Sequence, residues 1–167
     1  MRVTAFREWL CIGSMLVSAA VFAAPEKGDI PPSHVGVDLD GQPVSLTPYA
    51  GKAIVVSFWA TWCPYCLQEL PILHNIQRSA GKRHMQVVAV NTESRETFHK
   101  AARGLAALDV QHSHDVDGAS RKAYGVNGIP HMVIVGKDGR IVAVYRGYNE
   151  SSLDNIVADL NRALAAP

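Results

Sequence analysis

Two cysteines three residues apart, Cys63 and Cys66, stand where a buried-strand pattern gives way to a helical one. Upstream, Ala53 to Trp59 is a Val-rich apolar run, as a strand buried on both faces should be. Downstream, from Cys63 to about Ser79, Leu67, Leu70, Ile72, Leu73 and Ile76 recur at helical spacing, with Pro71 marking a kink. A sulfur at the start of a helix meets unpaired backbone N–H groups that carry partial positive charge, which favour thiolate. Pro64 suits the first helical turn, where its missing N–H costs nothing. Cys66 lies one turn further along, close enough to close a disulfide with Cys63. Thiolate is the attacking species in disulfide exchange. The pair therefore reads as a redox couple in which Cys63 attacks and Cys66 resolves the mixed disulfide.

A bare CxxC could also be half of a zinc site. Four ligands would be needed, there is no second cysteine pair, and none of the seven histidines stands at zinc-finger spacing from this one. A peroxidase reading fails because Cys63 lacks the P-x-x-x-T-x-x-C surroundings, Thr61 sitting at the wrong spacing. Neither a resident metal nor a cofactor is expected.

The first residues read as an export signal. Arg2 and Arg7 precede an uncharged stretch from Trp9 to Ala24, and Val21-Phe22-Ala23 suits cleavage before Ala24. The stretch is shorter than the ~20 residues of a spanning helix, so an uncleaved anchor is the weaker alternative. Cys11 lacks the pattern of a lipoprotein signal. Loss of residues 1–23 removes Arg2, Arg7 and Glu8 from 16 basic and 15 acidic side chains, leaving 14 of each. It also removes Cys11 from three cysteines, leaving only the close pair. A loop this short constrains the unfolded chain little, so in an oxidising compartment the pair suggests a redox couple rather than a scaffold. A balanced charge gives no sign of a nucleic-acid partner.

Residues 24–33 read as a polar, Pro-rich linker, and residues 34–167 as one domain. His34–Leu39 and Gln42–Leu46 flank Asp40-Gly41, a hairpin signal. Met85–Val90 is a second buried strand, and Ser94–Leu108 a helix with Ser94 or Thr97 as cap. Gly118–Tyr124 is a short helix. His131–Val135 and Arg140–Tyr145 are strands joined through Lys137-Asp138-Gly139, and Asn149–Ala165 closes as an amphipathic helix. The order predicts an α/β thioredoxin fold: a βαβ half and a ββα half in one mixed sheet flanked by helices, with an N-terminal β-hairpin and an extra helix inserted.

The segment Ile54-Val55-Val56-Ser57-Phe58-Trp59-Ala60-Thr61-Trp62-Cys63-Pro64-Tyr65-Cys66-Leu67-Gln68-Glu69-Leu70-Pro71-Ile72-Leu73 resembles the active-site segment of the thioredoxin superfamily. It is similar to the TlpA/ResA-like periplasmic branch, W-A-T-W-C-x-x-C-x-x-E-x-P-x-L. Tyr124–Pro130 followed by Lys137–Ile141 looks like the same branch's second signature. The resemblance implies that Pro130 is a cis-proline lying against the cysteines and that Ile129 pairs its backbone with an extended substrate peptide. It also implies that Glu69 assists proton movement at a buried Cys66. Cytoplasmic thioredoxins instead carry an acid in the preceding strand, where this chain has Ser57. The other reading of Glu69 is a first-turn carboxylate complementing the helix dipole. Leu67 departs from the family, which is usually basic there. Tyr65 departs too, which bears on redox poise, and His131 follows Pro130 where Thr or Glu is common.

Trp59 and Trp62 read as packing around the motif, with Trp62 also a substrate platform. His112-x-His114 with Asp115 could face copper or zinc, but a solvated strand edge is the favoured reading. The expectation is an exported protein-disulfide reductase or isomerase, monomeric and recharged by a membrane thiol reductase, with cytochrome c maturation as the first substrate pathway. The alternative is a copper-handling protein using Cys63, Cys66 and His131.

Overall fold

The computed structural model describes residues 23–147 and 152–165. The cleavable-signal reading thus falls almost wholly outside the described residues. Among them, no helix is long and apolar enough to cross a membrane.

A seven-stranded mixed sheet runs through the molecule in the order β2-β1-β5-β4-β3-β6-β7. The strands are β1 (His34–Val37), β2 (Pro43–Ser45), β3 (Ala53–Trp59), β4 (Met85–Asn91), β5 (Gln111–His114), β6 (His131–Val135) and β7 (Ile141–Arg146). Between them lie α1 (Pro64–Ala80), α2 (Arg95–Gly104) and α3 (Ala119–Ala123), and α4 (Leu153–Ala165) closes the chain. Central β3 is buried at every position, parallel to β4 on one side and antiparallel to β6 on the other. The units β3-α1-β4 and β6-β7-α4 are the two halves of a thioredoxin fold.

Alternation along β3 divides the core in two. Ile54, Val56 and Phe58 pack with Val35, Val44, Val133 and Tyr124 on one face. Val55 and Trp59 point the other way. Val55 meets Leu73 of α1 and Ile156 and Leu160 of α4. Trp59 meets both cysteines, Leu70 and Ala89.

Local readings change in α2, in the insertion and in the N-terminal stretch. α2 stops at Gly104 rather than Leu108, because glycine is a weak helix former and Leu105 and Leu108 turn in against the cysteine cluster. Its cap is Ser94, whose hydroxyl accepts from the Thr97 N–H. The insertion is more than a helix: it carries β5, which joins the N-terminal hairpin to the sheet through an antiparallel pair with β1 and a parallel pair with β4. His112 and His114 therefore sit on an inner strand, not a solvated edge. Gly36 makes the β1–β5 approach possible, since a Cβ there would lie 2.3 Å from the His114 carbonyl oxygen and its φ is +108°.

The stretch 24–33 is not a free linker. Gly28 N–H donates to the Ile141 carbonyl, and the Asp29 carbonyl accepts from Ile141 N–H, at 2.8 and 2.9 Å. Tyr124 donates to the Pro32 carbonyl at 2.6 Å, Arg146 pairs with Glu26, and Pro25 is buried. These bonds satisfy backbone groups that a mobile connector would leave to water. Of the closing helix, expected from Asn149, residues 149–151 lie outside those described.

Candidate active site

Cys63 ends the turn that leaves β3 and caps α1 with extended backbone geometry (φ −97°, ψ 101°). That geometry directs its sulfur at the helix N-terminus, where Sγ accepts from the Cys66 N–H at 3.2 Å. Pro64 occupies the first helical turn, and Cys66 follows one turn on, disulfide-bonded to Cys63 across a Cα–Cα distance of 5.3 Å. Cys63 keeps 4% of its surface exposed and Cys66 none.

Glu69 sits one turn beyond Cys66 on the buried side of α1. It is not a first-turn residue, so the helix-dipole reading is set aside in favour of a buried group. Its Oε1 accepts from the Ser57 hydroxyl of β3 at 2.7 Å. Burial raises the Glu69 pKa above the usual carboxylate range, and the bond from Ser57 opposes part of that rise. Ser57 stands where cytoplasmic relatives of the fold carry the acid. The structure makes it the partner of the acid supplied by the helix.

The loop before β6 reaches the same place. The Ile129–Pro130 bond is cis, as the resemblance implies, and Pro130 is buried. Ile129 packs against the cluster that holds both cysteines. Trp59 is fully buried in that cluster, as packing residues are. Trp62 is not packing: 69% of its surface is exposed, and Tyr65 and Leu67 are exposed with it. These side chains form an apolar rim at the disulfide end of the molecule.

His131 is not part of this group. Its register partner on β3 is Phe58, and the two rings meet edge to face with centroids 5.9 Å apart. Phe58 and Trp59 point to opposite faces of the sheet, so His131 lies across the sheet from the cysteine cluster. Burial first, and the nearby Arg146 charge second, lower its pKa to about 4, so the ring is neutral at pH 7. The copper set Cys63, Cys66 and His131 is therefore not assembled. His114 is occupied otherwise, its Nε2 bonded to the Glu93 carbonyl at 2.7 Å and its ring stacked on Phe98. Among the described residues, no group of three or more His, Cys, Asp or Glu side chains is gathered as a metal site would need.

One residue at the site, Glu93, carried no sequence signal, and its partner Thr61 was legible only as part of the cysteine motif. The Glu93 carboxylate, just past β4, accepts from Thr61 N–H at 2.6 Å and from the Thr61 hydroxyl at 2.8 Å. Thr61 lies in the turn that Cys63 N–H closes onto the Ala60 carbonyl. Parallel pairing of β3 and β4 brings the two together, which local spacing does not reveal.

A mixed sheet of this order, with a disulfide-forming CxxC at the start of the helix after its central strand, defines a thiol–disulfide oxidoreductase of the thioredoxin fold. The chain matches the Redoxin family over residues 26–164 and belongs to it. It is 28% identical over 148 residues to the thiol-disulfide oxidoreductase ResA of Bacillus subtilis (strain 168), covering 86% of this chain and 82% of that protein. ResA of Geobacillus thermodenitrificans (strain NG80-2) is 30% identical over 121 residues, covering 72% and 69%. Among solved structures, a putative thiol:disulfide interchange protein DsbE from Chlorobium tepidum superposes with a TM-score of 0.73 at 25% identity, covering 85% of this chain and all of that one.

Proposed function

We propose that the protein is an exported reductase of protein disulfides, monomeric, with Cys63 as nucleophile and Cys66 as resolving thiol. The observation that carries this reading is the position of Cys63 as helix N-cap, its sulfur held at the Cys66 N–H. That is the place where a thiolate is stabilised, both as attacking nucleophile and as leaving group. In the dithiol state the Cys63 thiolate attacks one sulfur of the substrate disulfide. The substrate S–S bond breaks, a Cys63–substrate disulfide forms, and the departing thiolate takes a proton. Cys66 then gives its proton to Glu69 and attacks Cys63 Sγ. The Cys63–Cys66 bond closes and the second substrate thiolate leaves, to be protonated in turn. The substrate gains two electrons and two protons, and the protein ends as the disulfide. A membrane thiol reductase returns it to the dithiol state.

Glu69 suits the proton step because burial keeps its pKa raised, nearer the working pH than an exposed glutamate. Ile129 supplies backbone pairing to an extended peptide, Pro130 holds that loop in place, and Trp62 gives the peptide an apolar platform. Export is supported by the sequence of residues 1–23 and by an exposed lipoprotein thioredoxin of Streptococcus pneumoniae strain TIGR4, 28% identical with a TM-score of 0.64. The first substrate to test is the cysteine pair of a c-type apocytochrome. A Cys66→Ala variant, unable to resolve, should hold such a substrate as a covalent complex that dithiothreitol releases. Failure to trap any exported thiol protein through Cys63 would overturn the reductase reading.

A further inference from the structure

The geometry points to Glu93 as a positioning residue of the redox centre, whose carboxylate clamps the turn at Thr61 and so fixes Cys63 at the helix N-terminus. This rests on the reading of Cys63 as nucleophile.

The β3–β4 ladder ends where Thr92 N–H bonds the Trp59 carbonyl at 3.1 Å. Two residues past the end of β3 comes Thr61 N–H, where the chain turns toward Cys63. Glu93 reaches it with its side chain. One oxygen takes the Thr61 N–H at 2.6 Å and also lies 3.3 Å from Asn91 Nδ2, while the other takes the Thr61 hydroxyl at 2.8 Å. A carboxylate with both oxygens engaged on one residue fixes direction as well as distance.

Glu93 is itself held from behind. Its N–H donates to Asn91 Oδ1 at 2.9 Å, and its carbonyl is bonded to His114 Nε2 at 2.7 Å. His114 stacks on Phe98 at 5.0 Å, and both are buried. The inserted β5 and α2 thus form a rigid back wall for one glutamate. That glutamate reaches forward to the residue two before the nucleophile. The turn it holds presents Trp62 outward and brings Cys63 Sγ to the Cys66 N–H. A turn free to drift would weaken that bond, and with it the thiolate.

The test separates position from charge. A carboxylate near Cys63, acting by charge alone, would disfavour the thiolate, so its removal would lower the Cys63 pKa. Loss of a clamp does the reverse. In the full chain, Glu93→Ala is expected to raise the Cys63 pKa, read from thiolate absorbance. It should also slow reduction of a small aromatic disulfide about tenfold, against a ceiling of roughly 10²-fold for a 1 Å misplacement. Glu93→Gln, which keeps an acceptor on the same stem, should recover most of that rate. Thr61→Val, which removes the hydroxyl arm without touching charge, should shift pKa and rate in the same direction by less. It carries the test alone if Glu93→Ala does not fold. A lowered pKa in Glu93→Ala and Glu93→Gln, or an unchanged pKa and rate in folded variants, overturns the proposal. Faster alkylation of Cys66 than of Cys63 in the unsubstituted protein would instead sink the nucleophile assignment, and so is told apart.

Discussion

Ser57 on β3 and Glu69 on α1, twelve positions apart in sequence, share a 2.7 Å hydrogen bond in the closed interior one helical turn from Cys66. The strand supplies a hydroxyl donor and the helix supplies the acid, so the titrating group beside the buried sulfur comes from the cysteine-bearing element itself. Its pKa is raised because the ionised carboxylate has lost most of its water.

Glu69→Gln should therefore separate catalysis from stability. Proton acceptance is lost, and closure of the Cys63–Cys66 bond in single-turnover mixing should slow by about 10²-fold, with a flattened pH profile. Stability moves the other way. The folded state holds the Glu69 proton where the unfolded chain has released it, so this group's contribution declines as pH rises from the ordinary value of 4.5 through the raised folded value. The glutamine variant escapes that decline, and its urea midpoint should exceed the parent's at pH 8 and match it at pH 4. An unchanged pH–rate profile would leave Glu69 a structural residue.

The two cysteines should behave unequally. Cys63 alone retains exposed surface and sits at the helix cap. Cys63→Ser should abolish disulfide reduction, while Cys66→Ser should still form mixed disulfides. Brief iodoacetamide treatment of the reduced protein at pH 7, followed by peptide mass analysis, should find the label on Cys63. A label found first on Cys66 would reverse the roles.

Much of this site was readable from the chain because its signals are local. The Val-rich β3 run, the CxxC at a strand–helix junction and the Asp40-Gly41 and Asp138-Gly139 turns each occupy a few consecutive residues. β5 was not readable as an inner strand, because Gln111-His112-Ser113-His114 shows no apolar alternation. Its polar groups are buried only because tertiary partners satisfy them: Ser113 donates to the Val35 carbonyl at 2.6 Å, and His114 bonds the Glu93 carbonyl. The N-terminal stretch looked like a linker by composition, yet its backbone pairs with Ile141, more than a hundred residues away. Glu69 was legible as a position but not as a depth. Where it points depends on the angle at which Cys63 starts the helix.

His131 should make the protein acid-sensitive. The unfolded histidine takes a proton near 6.5, whereas the folded one resists until about 4. Stability from this group is thus complete above 6.5 and is lost as pH falls toward 4. The effect is of the order of 1–2 kcal/mol after allowance for solvent screening. His131→Leu should lose less stability between pH 7 and pH 4 in urea titrations. Equal losses in both proteins would place the acid-sensitive group elsewhere.

The redox potential follows from what stabilises the Cys63 thiolate. A more stable thiolate favours the dithiol form and makes a protein more oxidising. At this site the visible stabilisation is the helix N-terminus, expressed in the bond from Cys66 N–H. The one histidine that sequence order placed beside the loop, His131, is neutral and lies across the sheet, so it adds no positive charge. The dipeptide between the cysteines, Pro64-Tyr65, brings none either. A potential of about −200 to −230 mV, in the glutaredoxin range, is therefore expected, against about −120 mV for the most oxidising dithiol proteins. The gap of roughly 80–110 mV corresponds to about 4–5 kcal/mol for a two-electron couple, enough to make this protein a donor of electrons to such an oxidant. Equilibration with glutathione buffers, read by the fraction of Cys63–Cys66 disulfide, measures it directly. A value above about −150 mV, well outside the glutaredoxin range, would require a further donor to the Cys63 sulfur and would reassign the protein as an oxidant.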